Sequence, residues 1–303
     1  MDQAATLRRT AAEDGHITPT LPSPLKGEGT NDKEARCARV IAVSSGKGGV
    51  GKTNSVVNLS VAFAEMGKKV LLLDADLGLG NIDVLLGLAP KYNIGHLLSG
   101  ERTIGEVLVN GPSGILILPA SSGVHELTNL SSEERLCLQS HLENMEMDID
   151  ILIIDTGAGI SNNVLFFNMA AGEIVVVVTP EPTSITDAYA LMKVMLKRHG
   201  ERRFRLLVNT VRTKKEGVEV YRKISLAAER FLGISIDYLG CVLHDENVQR
   251  SVVRQRPVME LYPDTKASVC YREIAREICD SPSANGIKGG MQFFWRQMLN
   301  RDF

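Results

Sequence analysis

Short apolar runs, rich in β-branched residues, recur along the chain and alternate with longer helical patterns. These runs predict strands at residues 39–45, 69–76, 114–120, 150–156, 173–180, 203–210 and 237–243. Several runs are apolar almost throughout, as expected when helices cover both faces of a parallel sheet. Strands that alternate with helices indicate βαβ units. We therefore predict an α/β fold with a doubly wound, mostly parallel sheet.

Polar segments rich in glycine and proline flank this α/β pattern on both sides. The predicted domain covers residues 39–279. Before it, residues 1–10 predict a short helix and residues 11–38 a disordered tether. After it, residues 280–290 predict a linker, and residues 291–303 predict an amphipathic helix. The chain therefore consists of one large domain with a small element at each end.

The composition fits a large domain in the cytoplasm. Hydrophobic residues make up 44% of the 303 residues, which is enough for a sizeable core. The net charge of -2 gives no global preference for a polyanionic partner. The five cysteines form no CxxC pair, which fits reduced thiols better than disulfides or a zinc site. Because no apolar run is long enough to span a membrane and no signal peptide is evident, we expect a cytoplasmic protein.

A glycine-rich segment, "SSGKGGVGKT", directly follows the first predicted strand. Residues 46–53 match the pattern G-x-x-x-x-G-K-[ST], and a predicted helix begins at its end. Such glycines let backbone amides surround phosphate oxygens, and the helix adds its positive end. A plain glycine-rich turn is the alternative. The predicted nucleotide-binding residues are Gly46, Lys47, Gly48, Gly49, Val50, Gly51, Lys52, Thr53 and Asn54.

Acidic residues end two of the predicted strands. Asp74 and Asp76 end the second run, and the period of a strand predicts both side chains on one face. Asp155 ends the fourth run, and glycines follow it. Carboxylates beside a phosphate loop can organise Mg²⁺ and an attacking water. An acidic strand end that merely turns the chain is the alternative.

A second lysine near the start of the loop points to a known family. Because Lys47 accompanies Lys52, the segment "KGGVGKT" resembles the deviant phosphate loop of the MinD/ParA ATPase family. The resemblance implies ATP hydrolysis and an ATP-dependent homodimer in which Lys47 reaches the partner's nucleotide. It implies that Asp76 positions the attacking water. The roles it implies are catalysis by Lys47, Lys52 and Asp76, and magnesium binding by Thr53, Asp74 and Asp155.

The same resemblance implies an adenine contact from an asparagine at the end of a later strand. Asn209 in "RLLVNTV" occupies that place. Its amide can both donate and accept hydrogen bonds, which suits the edge of adenine. An asparagine that caps a turn is the alternative.

The first residues narrow the resemblance to a subfamily. The segment "DQAATLR" is similar to the DQAxxLR motif of the FlhG/FleN/YlxH family, MinD-like ATPases that control flagellar number and placement. In that family the motif is a short helix that activates FlhF, a signal-recognition-type GTPase. The motif residues here are Asp2, Gln3, Ala4, Leu7 and Arg8. A frayed terminus without function is the alternative.

The last predicted helix has an apolar stripe that suits the interface of a membrane. Its apolar residues at helical spacing are Met291, Phe294, Trp295, Met298 and Leu299. A helix that docks on its own domain or on a partner is the alternative. ATP-driven dimerisation would give two such helices per particle and a large gain in avidity.

Two other functions are alternatives for a chain with these motifs. One is a regulator that mainly sequesters a flagellar transcription activator. The other is a DNA-partitioning ATPase that binds DNA through the basic stretch at residues 197–205. A solvated helix end explains that stretch about as well, so we expect no DNA binding.

Overall fold

The computed structural model describes residues 38–77, 80–120, 130–143, 145 and 148–282. The predicted N-terminal helix, nearly all of the tether and the predicted C-terminal helix lie outside the described residues. The linker is described only to residue 282. Among the described residues, no helix has both the length and the apolar character needed to cross a membrane.

The described strands form a single sheet in the order β3-β4-β2-β5-β1-β6-β7-β8. The strands are β1 (Arg39–Ser45), β2 (Val70–Ala75), β3 (Val109–Asn110), β4 (Leu116–Leu118), β5 (Ile151–Ala158), β6 (Glu173–Val178), β7 (Phe204–Val211) and β8 (Ile236–Leu243). Every neighbouring pair is parallel except β3 and β4. All seven predicted strands and the mostly parallel sheet are thus confirmed. The additional strand β3 has two residues, too few to show a period.

Helices connect the strands and cover both faces of the sheet. They are α1 (Lys52–Glu65), α2 (Ile82–Leu85), α3 (Ile94–Leu98), α4 (Ile104–Val107), α5 (Ser132–Glu143), α6 (Asn162–Ala170), α7 (Pro182–His199), α8 (Lys214–Leu232), α9 (Glu246–Val253), α10 (Val258–Leu261) and α11 (Lys266–Asp280). A 3₁₀ turn spans Pro112–Gly114.

Alternate residues of each central strand enter different hydrophobic clusters. In β1, Ile41 and Val43 join the cluster that contains residues of α1, α10 and α11. Val40 and Ala42 join a cluster on the opposite face, with residues of α3, α5 and α6. A third cluster joins β6, β7 and β8 to α7 and α8. The core is therefore buried on both sides, which explains the continuous apolar runs of these strands.

The order of the strands reverses at β1, which places a crevice at its carboxyl end. β1 lies between β5 and β6, and the chain crosses from β1 to β2 on the far side of β5. In open parallel sheets, ligands bind at such a point. The loops that follow β1, β2 and β5 all reach this edge.

At the opposite edge, a network of charged residues joins the two ends of the described domain. The carboxylate of Glu173 binds both Arg39 and Arg205. Arg39 also donates from Nη1 to the carbonyl oxygen of Ile278, and to that of Ser281 at 3.1 Å. Arg205 donates to Ser281 Oγ at 3.1 Å. Strand β1 therefore begins directly beside the end of α11.

Candidate functional site

The loop between β1 and α1 is compact because two of its glycines lie against other elements. Gly51 caps α1 with φ of 81°, and a Cβ there would lie 2.3 Å from Nδ2 of Asn209. A Cβ on Gly46 would lie 2.2 Å from the carbonyl carbon of Asp187. Gly48 and Gly49 instead are exposed, with open space at their Cβ positions. The loop thus presents bare backbone at the amino end of a helix, as an anion site requires.

A buried ion pair joins this loop to the end of β5. Lys52 Nζ lies 2.5 Å from Asp155 Oδ1, and both side chains are buried. Burial raises the pKa of Asp155, and the Lys52 ammonium and a hydrogen bond from Thr53 oppose this shift. Lys52, Thr53 and Asp155 are therefore together, as the sequence predicts. The pair holds the predicted phosphate-binding cation and the predicted metal-binding carboxylate beside each other.

Asp74 lies deeper than its neighbour Asp76, and its carboxylate holds the loop that follows β2. It accepts hydrogen bonds from the backbone amides of Asp76 and Ile82, at 3.2 and 3.3 Å. Burial, and then the charge of Asp155, raises the pKa of Asp74 to about 7. The magnesium role of Asp74 stays a prediction. The structure adds a second role, which is to position the segment that carries Asp76.

Asp76 is half-buried and lines the crevice. Strand β2 ends at Ala75, so the strand period does not extend to Asp76, and the two carboxylates have different surroundings. A Cβ placed on Gly157 would lie 3.6 Å from Asp76 Oδ1. The negative charge of Asp76 also adds to the raised pKa of Asp155. Asp76 therefore lies in the loop that follows β2, next to the end of β5 and beside the phosphate loop, as its predicted role requires.

The crevice is a cavity of about 950 Å³ above the phosphate loop. Its walls include residues that the sequence did not single out as site residues: Asn81, Val84, Leu85, Ser161, Val252, Val253 and Gln255. Gln255 has φ of 53° and donates to the carbonyl oxygen of Val84 at 2.8 Å. The end of α9 and the turn that follows it therefore form one wall of the cavity. No motif in the sequence marks this segment as part of the site.

Lys47 extends away from the other loop residues and binds the start of α7. Its Nζ lies 2.9 Å from Glu181 Oε2 and 3.0 Å from Thr183 Oγ1. Both charged side chains are solvent-accessible, with 39% and 63% exposure. Lys47 is therefore held within its own chain in this structure. Its predicted reach across a dimer stays a prediction.

Asn209 lies behind the phosphate loop and contacts it directly. Its Nδ2 donates to the carbonyl oxygen of Val50 at 2.8 Å, and the side chain is buried. The next residue, Thr210, has φ of 59°, and the β7–β8 register shifts between Val208 and Val211. This irregularity marks a local departure from regular pairing beside Asn209. The adenine contact stays a prediction, and the structure adds a supporting contact to the loop.

The residues around the cavity fit a nucleoside triphosphate with magnesium. Open glycine amides and the end of α1 suit phosphate oxygens, and Lys52 supplies positive charge. Magnesium commonly uses one or two protein carboxylates and completes its shell with water and phosphate oxygens. Asp155 and the Thr53 hydroxyl are close enough to each other to share that task. The chemistry that this set supports is phosphoryl transfer to water.

Comparison with known sequences gives matches along most of the chain. Residues 38–205 match the model of a family described as an AAA domain. The chain is 42% identical over 261 residues to the antiactivator FleN of Pseudomonas aeruginosa, covering 86% of this chain and 93% of that protein. It is 32% identical over 265 residues to the flagellum site-determining protein YlxH of Helicobacter pylori, covering 86% and 90%.

Solved structures share the same architecture. The MinC:MinD cell division complex of Aquifex aeolicus matches with a TM-score of 0.65 and 30% identity, covering 81% of this chain and 97% of that one. The septum site-determining protein MinD of Pyrococcus horikoshii, solved with Mg-ADP, matches with a TM-score of 0.65 and 23% identity, covering 80% and 96%. At 23% identity, the second match shows the fold alone.

Proposed function

This chain belongs to the FlhG/FleN/YlxH group of MinD/ParA-type ATPases, and from that membership we propose an ATP-driven switch that regulates flagellar number or placement. The observation that carries the proposal is the complete phosphate loop within a chain 42% identical to FleN over most of its length. The match of residues 46–53 to the phosphate-loop pattern, with Asp155 beside Lys52 and Thr53, supports ATP and Mg²⁺ as the ligands.

In the proposed mechanism, each group at the crevice has one task. Loop amides of residues 46–53 and Lys52 hold the phosphates, and Thr53 and Asp155 hold the metal. When bound there, magnesium would supply positive charge to the phosphate oxygens. Asp76 orients the attacking water, because phosphoryl transfer needs positioning more than a strong base. The amide contacts of Asp74 keep Asp76 in place.

The Asp76→Asn variant tests this assignment. We expect it to retain ATP affinity within about threefold and to lose at least about a hundredfold in the rate of phosphate release, because only the transition state requires the oriented water. Calorimetry with Mg²⁺ measures binding, and a phosphate-release assay measures turnover. A variant that hydrolyses ATP at the wild-type rate would remove Asp76 from the mechanism.

The proposed switch combines dimerisation with contacts to the membrane and to a GTPase. ATP closes two copies face to face, and Lys47 leaves Glu181 to reach the partner's nucleotide. The paired C-terminal helices (residues 291–303) then hold the inner face of the cytoplasmic membrane. Meanwhile the N-terminal motif at residues 2–8 stimulates an FlhF-type GTPase. These two terminal elements are supported by their sequence patterns.

Two experiments test membrane binding and stimulation of the GTPase separately. Sedimentation with lipid vesicles should show ATP-dependent binding that ADP does not support and that deletion of residues 291–303 removes. Addition of a peptide of residues 1–10 should accelerate GTP hydrolysis by the partner GTPase. Equal vesicle binding with ATP and ADP would contradict the membrane switch, and an unchanged GTPase rate would contradict the activating motif.

A second function has support from the name of the relative that matches at 42% identity. FleN is described as an antiactivator, which favours a chain that sequesters a flagellar transcription activator. In that case nucleotide sets affinity for the activator. A pull-down with the activator, with and without ATP, tests it. Activator capture combined with an unchanged partner GTPase would favour this second function.

A further inference from the structure

A cluster of basic side chains lies at the edge of the sheet opposite the crevice. It combines the end of α7, the turn before β7 and the end of α8. We call it the basic edge, and it consists of Lys197, Arg198, Arg202, Arg203 and Arg230. All five residues are exposed. Within the part of the chain that the structure describes, none of the five forms an ion pair.

Contacts among the described residues bring these separate segments together. Arg202 Nη2 donates to the carbonyl oxygen of Gly233 at 3.0 Å, which joins the turn before β7 to the end of α8. Glu201, the acidic residue of that turn, is buried and accepts the backbone amides of Arg202 and Arg203. Its negative charge therefore points inward. Two neighbouring carboxylates, Glu229 at the end of α8 and Asp237 near the start of β8, are also exposed and offset only part of the charge of the five basic residues.

An aromatic side chain projects beside these charges. Phe231 is 68% exposed, although it occupies the last turn of a helix whose opposite face is buried. The guanidinium of Arg230 lies 5.3 Å from the centre of its ring. An exposed ring next to basic side chains suits the boundary between lipid headgroups and acyl chains. Helix-end electrostatics explain the basic residues at the end of α7, and Arg202 binds the C-cap residue of α8, but neither effect explains Arg203 or Phe231.

The chain also leaves the domain at this same edge. Ser281, after the end of α11, accepts hydrogen bonds at its Oγ from Arg39 at 3.2 Å and from Arg205 at 3.1 Å. Arg205 lies two residues beyond Arg203. The 21 residues beyond position 282, with their predicted apolar stripe, therefore start beside the basic edge. A membrane bound by that stripe would therefore lie within reach of these basic side chains.

We infer that the basic edge, with Phe231, is a second membrane-contact surface that binds anionic lipid headgroups. The inference rests on the proposed membrane association, and it goes beyond it by placing a lipid contact on the folded domain. Each basic residue near an anionic leaflet increases affinity severalfold, and salt screens the effect. The surface would select anionic membranes and orient the domain on them.

The double variant Arg198→Glu/Arg203→Glu tests the surface, because no described contact of either side chain is lost. The matched control is Lys215→Glu/Lys266→Glu, which changes the net charge equally at exposed helix starts on the opposite edge. Vesicles of pure phosphatidylcholine, and of phosphatidylcholine with about 30% phosphatidylglycerol, are sedimented with the full chain, ATP and Mg²⁺. ATP hydrolysis confirms that each variant is folded.

We expect the basic-edge variant to lose at least about tenfold in affinity for the anionic vesicles, with ATPase activity unchanged and the control near wild type. Phe231→Ser should weaken the same binding.

Wild-type-like affinity of the basic-edge variant for the anionic vesicles, or an equal loss in the control, would overturn the inference while leaving the proposed function intact. A variant that keeps vesicle binding but loses salt-sensitive DNA binding would also overturn it and favour nucleic acid. Failure of the wild-type chain to bind any vesicle with ATP would instead refute the proposed membrane switch, and the second surface with it.

Discussion

At the scale of single residues, Lys47 makes contacts within its own chain that compete with the role proposed for it in a dimer. Its ammonium binds Glu181 and Thr183 of the same chain, at distances of 2.9 and 3.0 Å. For Lys47 to act on a partner's nucleotide, both contacts must break. Because exposed ion pairs contribute little to stability, this contact is easily exchanged.

The Glu181→Gln variant should therefore favour the proposed dimer. We expect ATP-dependent dimerisation to strengthen by up to about fivefold, because the side chain that competes for Lys47 loses its charge. Analytical ultracentrifugation with ATP and Mg²⁺ measures the dissociation constant. Glu106→Gln, at another exposed ion pair, is the matched control. Weaker dimerisation would show that Glu181 itself contributes to the interface.

Asp74 should make the stability of the nucleotide-free chain depend on pH. Its pKa of about 7 in the folded chain exceeds the ordinary value of 3.8, so the folded chain binds a proton that the unfolded chain lacks between these values. This contribution to stability is complete at low pH and is lost as pH rises through 7. The loss is about 1.4 kcal/mol for each pH unit between the two pKa values, and it ends above the higher one.

We expect Asp74→Asn to remove this pH dependence. The free energy of unfolding of Asp74→Asn, taken relative to that of the wild type at the same pH, should therefore increase from pH 5 to pH 8. Thermal unfolding without nucleotide or magnesium measures the difference at each pH. Asp148→Asn, at an exposed carboxylate, controls for the loss of one charge. If the difference in unfolding free energy between the variant and the wild type were the same at every pH, the raised pKa of Asp74 would be contradicted.

At the scale of elements, β7 carries Asn209 to the back of the phosphate loop. The carboxyl end of β7 is irregular, with Thr210 in the left-handed region and a shift in register toward β8. Asn209 Nδ2 then binds Val50 at the centre of the loop, and the same atom limits residue 51 to glycine. The conformation of one loop thus depends on the end of a different strand.

Asn209→Ala tests which role of this side chain dominates. We expect affinity for ATP and for GTP to fall by a similar factor of about ten, because a lost hydrogen bond to the loop affects both nucleotides. Calorimetry with each nucleotide measures the two affinities. A loss confined to ATP would instead assign Asn209 to direct contact with adenine.

The strands and the phosphate loop were predictable because their signals are local. Several strands, such as β2, β5 and β6, are nearly continuous apolar runs, and residues 46–53 match a contiguous pattern between a strand and a helix. The partners Glu181, Gln255 and Val50 were not predictable, because each contact joins residues more than 130 positions apart. The difference between Asp74 and Asp76 was not predicted either. The sequence predicts a strand that includes both residues, but β2 ends at Ala75, so the strand period does not extend to Asp76.

At the scale of the whole molecule, Glu173 connects both ends of the domain. Its carboxylate contacts Arg39 at the start of β1 and Arg205 near the start of β7, and all three side chains are no more than 15% exposed. These two arginines in turn bind the end of α11. The carboxylate of Glu173 is therefore the charged partner shared by the two arginines that join the ends of the domain.

Glu173→Ala should destabilise the domain by about 3 kcal/mol, because it leaves two largely buried guanidinium groups without their main partner. Denaturant unfolding measures the change. Glu277→Gln is the control, since this residue contacts Arg205 at 3.8 Å from a position that is 61% exposed. A loss below about 1 kcal/mol in Glu173→Ala would show that water or neighbouring groups compensate the arginines.

The closeness of Arg39 and Ser281 also means that the order of segments along the chain can be changed with little effect on the fold. A short peptide could join residue 282 to residue 38, and new ends could be opened at the exposed turn near Gly67. Such a circular permutant would separate the folding of the domain from its natural tails. Each tail could then be attached again elsewhere, which would reveal whether its point of origin matters.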